Sequence, residues 1–268
     1  MMNLYYSFIS GLPDLEFNPE TAFTSPNKFE LSLGEILDAE EITLLHLLRY
    51  PEFHYSICMY LSGHTHENEL LPGFKGEAFQ SSNEHFEALP AYLQHLVVWK
   101  ENRRGEISNV MVTHKIQQYY FAALHATGNY FLNEWADMEL NRLNFLAAHR
   151  IDKLGEENKQ QLIKGNEYHD LLLEYPLNQK IIRTEFRDAE RLEQLLAKPN
   201  YLEREQDFDR LRWNAIDEIN RFEYFTINII LGYYQKLLIL DRWKKVFAPE
   251  NPVDPVVIAE KMMQEKQR

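Results

Sequence analysis

The chain has 268 residues, of which 45% are hydrophobic and 13% are aromatic, and its formal net charge is −13. This composition can fill a sizeable core and excludes a chain that is disordered throughout. The acidic excess argues against nucleic acid or an anionic bilayer as the main partner, because both are bound by clustered positive charge.

The first predicted element is a short strand. The run YYSFISGLPDLEF, residues 5–17, is aromatic and β-branched and contains a Gly-Leu-Pro-Asp turn. A helix is predicted next over residues 32–51, where Ser32 and Glu35 have the spacing of a capping box and Pro51 ends the pattern.

Residues 62–90 are predicted to form a long connection. They are rich in Gly, Ser, His and Asn and show no clear periodicity. We therefore expect residues 1–268 to form one helical domain, and any division into two lobes is expected within this connection.

Helices are predicted to dominate the chain from residue 90 onward. Gly105, Gly128, Pro176 and Pro199 stand near the expected helix ends. In the last and longest helix, apolar residues recur at three- and four-residue steps, which is typical of an amphipathic helix. The fold class is therefore all-α, a multi-helix bundle with a short extended N-terminal segment. The predicted helices cover residues 91–104, 107–127, 131–153, 156–174, 179–197 and 203–246.

Three segments share a loose pattern that suggests an internal repeat. They are AEEITLLHLLRY (39–50), DMELNRLNFLAAHR (137–150) and YFTINIILGYYQKLLIL (224–240). Each places an acid or an Asn early and then a turn rich in Leu and Ile. The signal is weak, because most amphipathic helices can be aligned in this way.

The cysteine content and the apolar segments indicate a soluble cytoplasmic protein. Cys58 is the single cysteine, so it cannot form an internal disulfide or a multi-thiolate metal site. It lies in an apolar setting and is expected to be a buried small hydrophobe, although His54 one turn earlier allows a Cys/His pair. No signal peptide is expected, and the most apolar stretch, 224–240, is too short and too polar to span a membrane.

The string GHTHENEL, residues 63–70, is the most metal-like pattern. His64 and His66 are flanked by Glu67 and Glu69, and neutral imidazole is a good zinc ligand. The string misses both H-E-x-x-H and H-x-H-x-D by one residue. A solvated loop is favoured, so no metal or cofactor is predicted, and a metal-dependent helical enzyme using His64 and His66 stays as the alternative.

Two sets of residues are candidates for contact with a partner protein. The first is a polar stripe on one face of a predicted helix. It is open to three interpretations: a solvated face, a partner-facing surface, or Asn side chains that join helices by hydrogen bonds. The second is the cationic end of the last helix, where cations suit the helix dipole and aromatic residues suit an interface. The stripe comprises Glu134, Asp137, Asn141 and Asn144, and the cationic end comprises Arg242, Lys244 and Lys245.

Motifs for nucleotide binding and hydrolysis are absent from the sequence. There is no G-x-x-x-x-G-K-[ST] phosphate loop, no G-x-S-x-G elbow and no G-x-G-x-x-G after a strand. We therefore predict a protein without catalytic activity, in which no residue has a catalytic role.

Three words of the sequence, taken in order, resemble a known family. They are YYSFISGLPDL (5–15), NEWADMELNRLNFLAAHR (133–150) and FEYFTINIILGYYQKLLILDRW (222–243). The family is an uncharacterised bacterial one, common in Bacteroidetes and encoded among the subunits of V-type (A/V-type) ATPases. It looks like a shortened relative of the C subunit, called d in the eukaryotic enzyme. The central word resembles the C-subunit pattern at Glu139, Asn141, Asn144 and Arg150.

The resemblance implies a structural role in a rotary motor. C subunits are helical funnels of three pseudo-repeated units that sit on the cytoplasmic face of the proteolipid ring and receive the central axle. The resemblance thus implies a non-catalytic subunit, peripheral to the inner membrane, that couples ring and axle in ion transport. This chain is shorter than a typical C subunit, so an accessory stalk component and a general helical scaffold are alternatives. Residues 5–15 are expected to pack back against the helices, with Pro13 fixing the turn.

Overall fold

The computed structural model describes residues 2–64, 69–154, 162–165, 167–175 and 177–248. Helices make up most of this part of the chain, which confirms the all-α multi-helix fold. Among the described residues, no helix combines the length and the apolar character needed to cross a bilayer. The α-helices are α1 Met2–Ser10, α2 Pro26–Leu33, α3 Ala39–Arg49, α4 His54–Leu61, α5 Ala91–Glu101, α6 Asn109–Ala126, α7 Tyr130–Leu154, α8 His169–Leu173, α9 Gln179–Glu185, α10 Ala189–Leu196, α11 Tyr201–Ile219 and α12 Ile227–Val246.

The chain divides into two compact units. The first comprises Met1–Leu45 and Arg187–Arg268, and the second comprises His46–Phe186. The predicted 62–90 connection therefore lies inside the second unit and is not the boundary between the units. Part of it is ordered as an antiparallel pair of short strands, β1 Glu69–Leu71 and β2 Phe74–Lys75, followed by two 3-10 helices.

The N-terminal segment is a helix, so the predicted strand is wrong. Tyr5, Phe8, Ile9 and Leu12 are all half-buried and follow one another at helical spacing. The Tyr5 hydroxyl donates a hydrogen bond to Glu41 on α3, and the Phe8 ring lies 5.8 Å from that of Phe29 on α2. These contacts confirm that the segment packs back against helices. They stabilise a helix here, although aromatic residues by themselves favour a strand.

The predicted helix 32–51 is divided into α2 and α3. Ser32 lies inside α2, where its hydroxyl donates to the Phe29 carbonyl, so Ser32 and Glu35 do not form the predicted capping box. A capping box is present six residues later. The Asp38 carboxylate accepts from the Glu41 backbone N–H at 3.0 Å, and the Glu41 carboxylate accepts from the Asp38 backbone N–H at 3.1 Å.

The predicted helix 203–246 is an antiparallel hairpin of two helices, α11 and α12. Asn220 ends the first helix, and its side-chain amide donates to the Asn228 carbonyl at 3.1 Å. Phe225 adopts a positive φ of 53°, which a continuing α-helix cannot accommodate. The predicted helix 179–197 is interrupted in a similar way, because Phe186 is extended and packs against Phe145.

An aromatic cluster forms part of the core of the second unit. Tyr120 on α6 donates a hydrogen bond to the Leu47 carbonyl at 3.0 Å, and the His54 Nε2 atom lies 2.9 Å from the Tyr92 hydroxyl. Burial lowers the pKa of His54 to about 3. Cys58, one turn further along α4, is buried as predicted, and burial raises the pKa of its thiol to about 11.

The lowered pKa of His54 predicts a loss of stability in mild acid. Between pH 6.5 and about pH 3 the unfolded chain binds a proton at this imidazole and the folded chain does not. The free energy of unfolding should therefore fall as the pH decreases, by about 2 kcal/mol at pH 5 from this group. Denaturant unfolding at pH 7.5 and pH 5.0 measures the effect. His54→Gln should remove this part of the pH dependence.

His85→Gln is the matched control, because the His85 side chain is 69% exposed. It should keep the same pH dependence as the unaltered protein. An equal loss of stability between pH 7.5 and pH 5.0 in His54→Gln and in the unaltered protein would contradict the assignment.

Candidate functional site

The cationic end of α12 is built on a buried carboxylate of α11. Asp209 is 0% exposed. It accepts hydrogen bonds from Trp243 Nε1 at 2.7 Å and Arg212 Nη1 at 2.8 Å, and it forms an ion pair with Arg242. Arg242 is therefore fixed in place from inside the first unit, while part of its side chain stays in contact with solvent.

The two lysines of the cationic end are held more loosely. Lys244 is exposed, with its ammonium 5.3 Å from the centre of the Phe23 ring, and Lys245 pairs with Asp241 at 2.7 Å one turn earlier. Within the described residues Lys244 forms no ion pair, and a contact with a neutral ring does not neutralise its positive charge. A contact role for Arg242, Lys244 and Lys245 stays a prediction.

The polar stripe of α7 divides into an outer and an inner pair. Glu134 is exposed, and Asp137 is half-buried with a carboxylate oxygen 3.5 Å from His125 Nε2. Burial and the nearby Glu167 raise the pKa of Asp137, and His125 opposes this shift. Asn141 and Asn144 are both buried, so only the outer pair is placed where a partner can reach it.

Asn144 holds a neighbouring segment against α7. Its side-chain amide donates to the Ile163 carbonyl at 2.7 Å, and its side-chain oxygen accepts from the Ile163 N–H at 2.8 Å. Both backbone polar groups of one residue are thus satisfied by one side chain, as in a pair of strands. Of the three interpretations of the stripe, hydrogen bonding between elements is the one that Asn144 fulfils.

An exposed aromatic loop joins α11 to α12, and the sequence prediction missed it. In this loop, residues 220–226, Phe222 is 80% exposed and Tyr224 is 71% exposed. Phe225 lies beside them, with its ring 4.5 Å from that of the exposed Tyr6 on α1. The sequence pattern predicts a continuous helix through FEYF (222–225), whereas the structure places its aromatic residues in a loop that faces solvent.

Hydrogen bonds brace the aromatic loop from within. The Glu223 carboxylate accepts from the Thr226 hydroxyl at 2.7 Å and from the Asn228 side-chain amide at 2.9 Å. The left-handed backbone of Phe225 costs about 1–2 kcal/mol, which the rest of the loop must offset. Strain of this kind is found where the surrounding structure holds a residue in place, often at functional sites.

The metal-like string is only partly within the described residues. His64 lies with its Nδ1 atom 3.0 Å from the Ser62 hydroxyl, and the Glu69 carboxylate accepts from the Gly73 N–H in the turn between β1 and β2. His66 and Glu67 lie outside the described residues. Within the part of the chain that the structure describes, no group of three or more His, Cys, Asp or Glu side chains is arranged to hold a metal ion.

Comparison with known protein families finds a match over most of the chain. The model of a family described as "Protein of unknown function (DUF2764)" matches residues 2–248. The chain belongs to the DUF2764 family. No curated protein and no solved structure matches the chain significantly. The match to DUF2764 takes in all of the described residues, including the cationic end, the α7 stripe and the aromatic loop.

Asp209 allows a sharp test of what fixes the cationic end in this DUF2764 protein. Asp209→Asn should lower the free energy of unfolding by about 3 kcal/mol or more, because it leaves Arg242 and Arg212 without their buried counter-charge. Asp217→Asn is the matched control on the same two helices. The Asp217–Lys236 pair is largely solvent-exposed on its acidic side, so its loss should cost less than about 1 kcal/mol. Similar losses in both variants, measured by urea unfolding, would contradict the assignment.

The two hydrogen bonds of Asn144 predict that its removal lowers the free energy of unfolding. Asn144→Ala should cost about 2–4 kcal/mol, because the buried peptide groups of Ile163 lose both partners. Asn133→Ala on the same helix is the control, since the buried oxygen of Asn133 has no hydrogen-bond partner in the described structure. It should change the denaturation midpoint little. A loss below about 1 kcal/mol in Asn144→Ala would show that Asn144 does not hold this segment.

Proposed function

We propose that this DUF2764 protein is a non-catalytic subunit of a V-type ATPase that acts on the cytoplasmic face of the membrane. Its role would be C/d-like, coupling the proteolipid ring to the rotor axle in ion transport. The observation that carries the proposal is the ordered set of three sequence words at 5–15, 133–150 and 222–243, which resembles a family encoded among the ATPase subunits.

The positions of these words support a shared architecture. The first word supplies α1 and its contacts with Glu41 and Phe29. The central word lies on α7 and includes the Asn144 contact with Ile163. The last word forms the aromatic loop and most of α12. All three words fall mainly on helices, and an all-α fold is what the resemblance implies.

The aromatic loop supports a role in binding another protein. Aromatic side chains are enriched at the centres of protein interfaces, where they bury a large area at a low entropic cost. Covering Phe222 and Tyr224 would add roughly 1.5–3 kcal/mol each to binding, by the burial of their apolar surface. We propose that this loop is a contact with a rotor subunit, either the axle or the proteolipid ring. The cationic end lies at the opposite end of α12 and would form a second, separate contact.

Affinity purification from the native host tests the proposal. The tagged protein should recover V-type ATPase subunits in near-stoichiometric amounts from mildly solubilised membranes. Phe222→Ser/Tyr224→Ser should reduce this recovery by about tenfold or more, since both side chains are exposed and their loss leaves the core intact.

The matched control is Leu31→Ser/Tyr55→Ser, which removes two apolar side chains that are exposed elsewhere, at 82% and 60%. It should recover the same subunits as the unaltered protein. Recovery of no ATPase subunit by the unaltered protein would overturn the proposed function. Equal recovery by both double variants would leave the function standing and show that the aromatic loop is not the contact.

A further inference from the structure

The second unit carries a cluster of cationic and aromatic side chains on α5 and α6. His95, Trp99 and Arg103 follow one another at four-residue steps along and just beyond α5, and Lys115 and Tyr119 are separated by one turn of α6. His95 and Arg103 are exposed, and the other three are half-buried. These five residues are called the basic-aromatic face.

Direct contacts join the members of the basic-aromatic face. The Arg103 guanidinium lies 5.5 Å from the centre of the Trp99 ring, and the Lys115 ammonium lies 6.0 Å from the same ring. Lys115 is also 5.6 Å from the Tyr119 ring, which lies 5.9 Å from the His95 ring. The packing of α5 against α6 therefore places two positive charges beside the Trp99 indole.

In the part of the chain that the structure describes, Arg103 and Lys115 contact aromatic rings and are not neutralised by a carboxylate. Within the described residues, neither Arg103 nor Lys115 forms an ion pair with a carboxylate. Glu101, the acid closest to Arg103 in sequence on α5, is engaged by the backbone and hydroxyl of Ser81. Carboxylates elsewhere pair with Arg142, Arg187, Arg212, Lys236, Arg242 and Lys245.

A cation–π contact orients a cation but leaves its charge available. The aromatic ring carries no net charge, so Arg103 and Lys115 keep an attraction for an external anion. Arg103 also has guanidinium donors arranged to bind a carboxylate by two parallel hydrogen bonds. In a chain of net charge −13, this positive face is a local exception.

We propose that the basic-aromatic face binds an acidic segment of a partner protein, with carboxylates at Arg103 and Lys115 and an apolar side chain against Trp99. A short segment senses mainly the charges within a Debye length of about 10 Å. Within that range Arg103 and Lys115 offer two positive charges, and the nearby Glu101 carboxylate is engaged by Ser81. Nucleic acid and an anionic bilayer extend much further and would be repelled by the acidic remainder of the chain. The inference does not depend on the V-type ATPase assignment.

Fluorescence anisotropy with a labelled twelve-residue peptide of alternating Glu and Ala tests the proposal on the full chain. The peptide should bind at least about tenfold more tightly than a matched peptide of alternating Gln and Ala. Raising NaCl from 50 to 500 mM should weaken binding by about tenfold or more, because salt screens exposed charges. Trp99 fluorescence should become less accessible to acrylamide, whereas Trp135, Trp213 and Trp243 are already buried.

Charge-reversal variants test whether the peptide binds to the basic-aromatic face. Arg103→Glu/Lys115→Glu should weaken binding at least about tenfold. The matched control Lys75→Glu/Lys180→Glu makes the same change in net charge at two exposed lysines of the same unit and should change binding by less than about twofold. If the reversal variant does not fold, as judged by circular dichroism, Arg103→Gln/Lys115→Gln makes the same comparison with an expected weakening of about threefold or more.

Three results would overturn the proposal. The first is no difference between the Glu-Ala and Gln-Ala peptides. The second is an equal loss of binding in the control and reversal variants. The third is tighter binding to single-stranded DNA or to phosphatidylserine vesicles than to the acidic peptide, which would assign the face to a different class of partner.

Discussion

The first unit depends on covering α12, which is apolar on nearly every side. Buried residues occupy most positions from Ile230 to Trp243, so this helix cannot stand at a surface. It is covered by α1, α2 and α11, and the hydroxyl of the buried Tyr234 donates a hydrogen bond to the Glu30 carboxylate on α2. At the other end of the α11–α12 hairpin, the Asp209 carboxylate accepts a hydrogen bond from the Trp243 indole N–H and fixes the two helices together. The aromatic loop projects from this tightly packed pair, so its exposed rings rest on a rigid base.

Much of the fold follows from local sequence patterns. The starts of α5, α6 and α7 lie within two residues of their predicted positions, because Gly and Pro near these helices act through local backbone preferences. The secondary-structure predictions that are wrong have a different origin. The helix break at Phe225, the break at Phe186 and the helical N-terminus all depend on aromatic contacts between distant residues. Pattern reasoning on a single segment has no access to such contacts.

The candidate surfaces, too, are predictable from the local sequence only in part, because contacts between distant residues decide the rest. The charges at the end of α12 were visible in the sequence, but the partner that fixes Arg242 lies on another helix. The sequence places Asn144 on a polar helix face, whereas its hydrogen-bond partner Ile163 follows after α7 has ended. For the basic-aromatic face, the four-residue spacing of His95, Trp99 and Arg103 was a usable signal. The position of Lys115 over the same indole could not be read from this spacing, because it depends on the packing of α5 against α6.

The setting of Cys58 has a practical consequence for labelling chemistry. The single native thiol is buried, and its raised pKa keeps it protonated at neutral pH, so maleimides and other thiol reagents react with it slowly. A cysteine placed at an exposed position, such as Lys244 or Tyr224, would therefore carry a dye or a crosslinker selectively, without removal of the native residue. Site-specific spectroscopy on this protein can begin from the natural sequence.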